Sequence, residues 1–186
     1  MGHEDAAPRF RELNELFALL IEDVAAILKI LATDKAQVWR RSLVRAFFAL
    51  VEGTTWHLKA SALQHPRAEE TLRLAERALL REESYAISDK GTPRVRPKFM
   101  GTAENLRFVL GVYARLDNQG FAPDYAGPGW RAFQAALEVR NRITHPKGAA
   151  ACEVSTDELR WLAEALAWYE STLSELSRAS ERAARG

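Results

Sequence analysis

Arg140, Asn141 and His145, followed at once by Pro146, put a guanidinium, an amide and an imidazole into one short stretch, Arg140-Asn141-Arg142-Ile143-Thr144-His145. That set suits one class of reaction. RNA supplies its own nucleophile, the 2′-OH, so a protein needs only a proton carrier and a way to hold charge growing on phosphorus. Histidine, with an ordinary pKa of about 6.5, can serve as base or acid near neutral pH. A planar arginine can take two phosphate oxygens at once, and Asn141 can orient the imidazole or the scissile phosphate. Cations are also favoured at a helix C-terminus by the macrodipole, so ordinary end-of-helix residues are the alternative reading.

The element that must position these groups is an amphipathic helix beginning near Trp130. At heptad spacing Trp130, Phe133, Leu137, Arg140 and Thr144 share a face, which puts Arg140 where the pattern asks for a leucine. A guanidinium in an apolar seam needs a carboxylate, a phosphate or water. Asn141 and His145, four apart, fall on an adjoining face. Pro146 drives His145 out of the helical region, so the helix ends there with the imidazole exposed.

A carboxylate in a matching predicament lies far upstream. Thr33-Asp34 reads as the cap of a helix, with Gln37 completing a capping box, that runs to about Gln64 with Val44, Phe48, Val51, Thr55 and Leu58 as its apolar line. Glu52 sits amid Leu50, Val51 and Gly53, the most apolar part of that helix. The expectation is that Glu52 and Arg140 meet, with Arg45 and Arg41 as rival cations, and a solvated Glu52 as the alternative.

The remaining chain reads as helices and loops. A first helix over Pro8 to Ala32 keeps Phe10, Leu13, Phe17, Leu20, Val24, Ile27 and Leu31 in register. A third begins at Pro66, with Leu72, Ala75 and Leu79 on a narrow inner face. From Ser84 to Phe99 regularity lapses around Asp89-Lys90-Gly91-Thr92-Pro93, which is turn chemistry. This stretch, read as a loop, holds Lys90, Arg94, Arg96 and Lys98, the most basic window outside the motif, and is either a phosphate-contacting strap or a solvated connection. Thr102 caps a fourth helix to about Asp117, with Leu106, Val109, Tyr113 and Leu116 inward. After the motif, Gly148 to Cys152 is a small-residue linker, and Ser155-Thr156-Asp157-Glu158 is a capping box. The last helix aligns Leu159, Leu162, Leu166, Tyr169, Leu173 and Leu176, with Trp161 and Trp168 beside them. His57 and His65 lack partners at ligand spacing and read as ordinary polar positions. No strand period is evident. The pattern predicts one all-α domain over residues 1–186, an antiparallel bundle of about five to six helices, with 1–7 and 177–186 frayed.

Arg140-Asn141-x-x-x-His145 on the penultimate helix of such a domain resembles the motif of the HEPN superfamily (higher eukaryotes and prokaryotes nucleotide-binding). Arg45-Ala-Phe-Phe-Ala-Leu-Val-Glu-Gly53 resembles an early helix of the same proteins. The resemblance implies a HEPN-like bundle and a metal-independent ribonuclease without cofactor, with Arg140, Asn141 and His145 catalytic. It also implies a homodimer whose two motifs meet in a cleft, products ending in a 2′,3′-cyclic phosphate, and a setting in toxin–antitoxin systems or phage defence. Glu52, Arg45 and Thr144 would support the site, and Arg142, Lys147, Lys90, Arg94, Arg96 and Lys98 would contact RNA. One branch of the family, paired with a nucleotidyltransferase antitoxin, has a tyrosine two residues after the histidine. Here that position is Lys147, which departs from that pairing while leaving another regulatory protein open. Other HEPN relatives keep the helices as a dimerisation or ligand-binding module without cleaving RNA, and a plain helical interaction protein is the third reading.

Composition narrows the rest. With 47% hydrophobic and 27% charged residues the chain has an ordinary globular balance, and its net charge of +1 means any RNA contact must come from a local patch. The single Cys152 excludes an internal disulfide and suits a reducing interior. Met1-Gly2-His3-Glu4-Asp5 lacks the order of a secretory peptide, and Glu22, Asp23 and Lys29 interrupt the longest apolar run, so the expectation is a cytoplasmic protein without a membrane partner.

Overall fold

In the computed structural model, residues 6–117 and 120–185 are described, with side chains from residue 15 onward. Seven α-helices and one β-hairpin make up these residues: α1 (Ala6–Thr33), α2 (Gln37–Ala62), α3 (Ala68–Thr71), α4 (Leu74–Leu80), β1 (Glu83–Ile87), β2 (Pro93–Pro97), α5 (Thr102–Asp117), α6 (Pro128–Thr144) and α7 (Thr156–Arg185). The fold is all-α apart from that hairpin. No described helix is long and apolar enough to cross a membrane.

The core is built on α2. Its predicted apolar line, Val44, Phe48, Val51, Thr55 and Leu58, is buried throughout. Phe47 and Phe48 lie edge-on, with ring centroids 5.0 Å apart, and both pack on Phe133 of α6. Trp130 stacks on Phe133 at 5.2 Å, and Trp168 of α7 closes the cluster. Two glycines permit this closeness. A Cβ on Gly129 would lie 2.5 Å from Trp168 Cβ, and one on Gly53 would lie 3.1 Å from Leu20 Cδ1 of α1. The inward positions expected of α5 are all buried, joined by Leu110 and Val112.

Several details differ from the sequence pattern, each for a local reason. The third helix is two pieces, because Leu72 turns extended to bury its side chain and Arg73 then starts α4, its backbone N–H donating to Glu76. Ala75, expected inward, is exposed, while Ala78 and Leu80 are buried. Asp34 accepts from Ala36 N and Trp39 Nε1, and the Gln37 amide pairs with both backbone groups of Val154 instead of closing a capping box. The centre of the α7 seam is Leu162, Ala165, Tyr169, Thr172, Leu176 and Ala179, with Leu159, Leu166 and Leu173 on its flank. The tail expected to fray from Ser177 is helical to Arg185, since Ala179 is buried and Ser180 donates to Asp117 at 2.6 Å. The expectation for residues 1–5, and the Phe10 and Leu13 side chains, lie outside the described residues. The capping box on α7 is as read: Glu158 N donates to Ser155 Oγ at 3.2 Å, and Ser155 N to Glu158 Oε2 at 2.8 Å.

The stretch 84–99, read as a loop, is the antiparallel hairpin β1–β2 with Tyr85 opposite Val95. The Asp89–Thr92 turn is as expected, and Gly91 at φ 73° supplies the left-handed residue it requires. The strand is faint in sequence because β2, Pro-Arg-Val-Arg-Pro, is five residues bounded by prolines with Val95 its one β-branched residue, and every residue of it is exposed. A lone two-stranded hairpin is marginal in water, so its root must be tied down. Glu82 does this: its carboxylate accepts from Lys59 Nζ at 2.9 Å, and its carbonyl accepts from Lys98 N at 2.7 Å.

Candidate functional site

The buried stripe of α6 is Trp130, Ala132, Phe133, Ala136, Val139 and Ile143. Leu137 is half-buried and Thr144 exposed, so the core face is rotated from the heptad line read from sequence. Small Ala136 lets α6 approach its neighbours, and Arg140 falls on the rim of the stripe. Its side chain retains 27% exposure. The guanidinium is thus rooted in the protein with its tip at the surface.

At that tip, Arg140 donates to Glu52 Oε1 at 2.7 Å and to Asn141 Oδ1 at 3.2 Å. The expected meeting of Glu52 and Arg140 is therefore made, across an interval of 88 residues. Glu52 is not buried, however: its side chain is 44% exposed. The same Glu52 oxygen accepts from Thr102 Oγ1 at 3.1 Å, so the Thr102 hydroxyl holds the carboxylate rather than capping α5. Arg45 makes no ion pair among the described residues and is exposed, so the rival pairing is not formed.

His145 ends α6 as expected. It leaves helical geometry at φ −124°, ψ 61°, its N–H still reaching Asn141 O at 3.1 Å, and its imidazole is exposed. Thr144 donates its hydroxyl to Arg140 O at 2.7 Å, folding its side chain back onto the last turn of the helix. The last turn of α6 thus presents Arg140, Asn141 and His145 together at its end.

The expected RNA contacts separate into two groups. Arg142 differs from expectation: its guanidinium is committed to Ala151 O at 2.9 Å, Glu153 O at 2.7 Å and Glu158 Oε1 at 2.6 Å. It pins the linker, including the 3-10 turn Ala149–Cys152, to α6 and α7 by covering these carbonyls, while Arg41 and Arg40 of α2 cover Cys152 O and Val154 O. Lys147, Lys90, Arg94, Arg96 and Lys98 are exposed. Alternation places Arg94 and Arg96 on one face of the hairpin, with Tyr85, Ile87 and Val95 on the other.

Four further residues gave no signal in sequence. Lys59 is only 2% exposed, and among the described residues its carboxylate partner is Glu82. Glu82 and Glu52 line one small cavity, which sets the root of the basic hairpin beside the Arg140 pair. His65 is not an isolated polar residue: its Nε2 lies 3.2 Å from Oδ1 of buried Asp117, and its Nδ1 accepts from Arg67 N. That acceptor role makes Nε2 the protonated nitrogen facing Asp117. Only the fold could reveal this pair, since its members are 52 residues apart. Among the described residues, no three His, Cys, Asp or Glu side chains gather as a metal site.

No protein-family model matches this chain, and no curated protein or solved structure does.

Proposed function

We propose that the chain is a metal-independent endoribonuclease of HEPN type, acting in a toxin–antitoxin or phage-defence setting. The observation that carries this reading is the last turn of α6, where a half-buried Arg140 held on Glu52 stands at the same helix end as an exposed His145. His145 takes the proton of the 2′-OH as that oxygen attacks phosphorus. Arg140 exchanges Glu52 for the phosphate and takes up the charge of the transition state. The 5′-oxygen leaves with a proton, given by a second His145 across a two-fold dimer or by water, and the product ends in a 2′,3′-cyclic phosphate. The exposed cations of the hairpin, Lys90, Arg94, Arg96 and Lys98, guide the RNA backbone.

The test is cleavage of labelled RNA by purified protein in excess EDTA, beside His145→Ala. Cleavage that persists in EDTA and vanishes in His145→Ala is expected, with little change in melting temperature because the imidazole is exposed. Light scattering should show a dimer, and a monomer at micromolar concentration would remove the second histidine. A second reading has one observation in its favour: Arg140 is closed on Glu52 and Asn141, as in a module that binds a nucleotide without cutting. Failure of every preparation to cut RNA, with nucleotide binding retained, would select it.

A further inference from the structure

We infer that the small cavity beside the Glu52–Arg140 pair is a pocket for one guanine base, an inference that takes the class of its ligand from the ribonuclease reading. The cavity holds about 140 Å³ and is lined by Glu52, Thr55, Trp56, Glu82, Thr102 and Asn105. One water needs only about 10–15 Å³, and drug-sized ligands need roughly 300 Å³ or more. The space therefore fits one group larger than a water and smaller than a drug-sized ligand.

Two polar atoms packed behind its walls lack partners. Thr55 is 3% exposed, and among the described residues its Oγ1 has no hydrogen-bond partner, nor does the buried Oδ1 of Asn105. Unpaired buried polar atoms are costly and uncommon, and both of these belong to residues lining one cavity. Each carboxylate has one oxygen engaged, Glu52 Oε1 by Arg140 and Thr102, Glu82 Oε1 by Lys59. The acidic charges are thereby already balanced by cations, so a metal ion gains little here. A neutral ring bearing several N–H groups gains more.

Two further observations point to a base. Trp56 is 59% exposed at the cavity mouth, a large aromatic surface left uncovered where a base could stack. Glu82 has φ 58°, a left-handed conformation usually left to glycine or asparagine at a helix end. Its carboxylate there answers buried Lys59 and completes the cavity wall. Among the four bases, guanine alone offers two adjacent donors, N1–H and N2–H, that one carboxylate can accept together. Glu52 is the carboxylate shared with Arg140. A guanine edge on Glu52 would displace the guanidinium and free it for the neighbouring phosphate, so recognition of the base and arming of Arg140 are one exchange.

The experiment titrates the full chain, in EDTA, with the four ribonucleoside 5′-monophosphates, which share a phosphate and differ in base. The guanine nucleotide should bind about tenfold tighter than the others. Trp56→Ala should weaken it about tenfold. Glu52→Gln should erase the preference, since an amide lacks the second acceptor oxygen needed to take N1–H and N2–H together. Equal affinity for all four nucleotides, or a preference unmoved in both variants, overturns the inference. RNA cut without regard to base would sink the pocket and leave the ribonuclease reading standing. Guanine selectivity lost in both variants, in a protein that cuts no RNA, would do the reverse.

Discussion

Removing the Arg140 guanidinium should separate catalysis from stability, and the geometry sets both magnitudes. Arg140 and Glu52 are 27% and 44% exposed, so water screens the pair. Two unit charges 4 Å apart at an effective dielectric of 20 attract by about 4 kcal/mol, but exposed pairs measured by double-mutant cycles give only about 0.2–1 kcal/mol. Glu52 keeps Thr102 as a donor when Arg140 is lost, so no buried charge is stranded. Arg140→Ala should therefore cost about 1 kcal/mol, which lowers the melting temperature of a chain this size by about 2–4 °C. Loss of the phosphate clamp should cut the cleavage rate by about 10²–10³. Arg140→Lys should keep the melting temperature within about 2 °C and still leave cleavage low, since an ammonium cannot grip two oxygens in one plane. Calorimetry and single-turnover cleavage in EDTA give the two readouts. A fall of more than about 8 °C in Arg140→Ala would show that the guanidinium holds the fold instead of the substrate. A near-normal rate in Arg140→Lys would refute the two-pronged contact.

Arg94→Ala combined with Arg96→Ala should flatten the slope of log affinity for single-stranded RNA against log salt by about 1.4, two phosphate contacts at roughly 0.7 each; an unchanged slope would remove the hairpin from the RNA path. Arg142→Ala breaks three hydrogen bonds to the linker and α7 and should lower stability by about 1–2 kcal/mol while the folded fraction still cleaves. Unaltered stability with weakened RNA binding would restore Arg142 to the RNA surface. Burial raises the hydroxyl pKa of Tyr113, Tyr125 and Tyr169, Tyr125 to about 12 despite the opposing Arg107 cation. Because tyrosines in the unfolded chain titrate near pH 10, roughly, the native state holds more protons above that value. The stability from these groups is complete below pH 10 and is lost as pH rises through the native values, so the urea midpoint should fall from about pH 10 upward. Phenolate absorbance of Tyr113, Tyr125 and Tyr169 rising at the ordinary tyrosine pKa in the native protein would contradict this.

Much of the frame was legible in the chain. The apolar line of α2, the capping box at Ser155, the end of α6 at His145 and the turn at Gly91 follow from side-chain chemistry acting over a few residues, which sequence records directly. Composition and spacing also located Arg140 and its need for a carboxylate. Glu52 stood out because a carboxylate in an apolar run wants a cation.

The tertiary structure decided what depends on rotation and distance. The heptad line on α6 put Arg140 in the core, whereas the buried stripe runs through Ala132, Ala136 and Val139, because small residues let helices approach and leave the arginine on the rim. Arg142 looked like one more cation of the motif until the folded linker placed its carbonyls within reach. Lys59 with Glu82, His65 with Asp117, and the cavity joining Thr55 to Asn105 unite residues from different elements. Each of these groups is unremarkable in its own stretch of sequence. Burial and the partners brought by the fold, neither of which is local, give them their meaning.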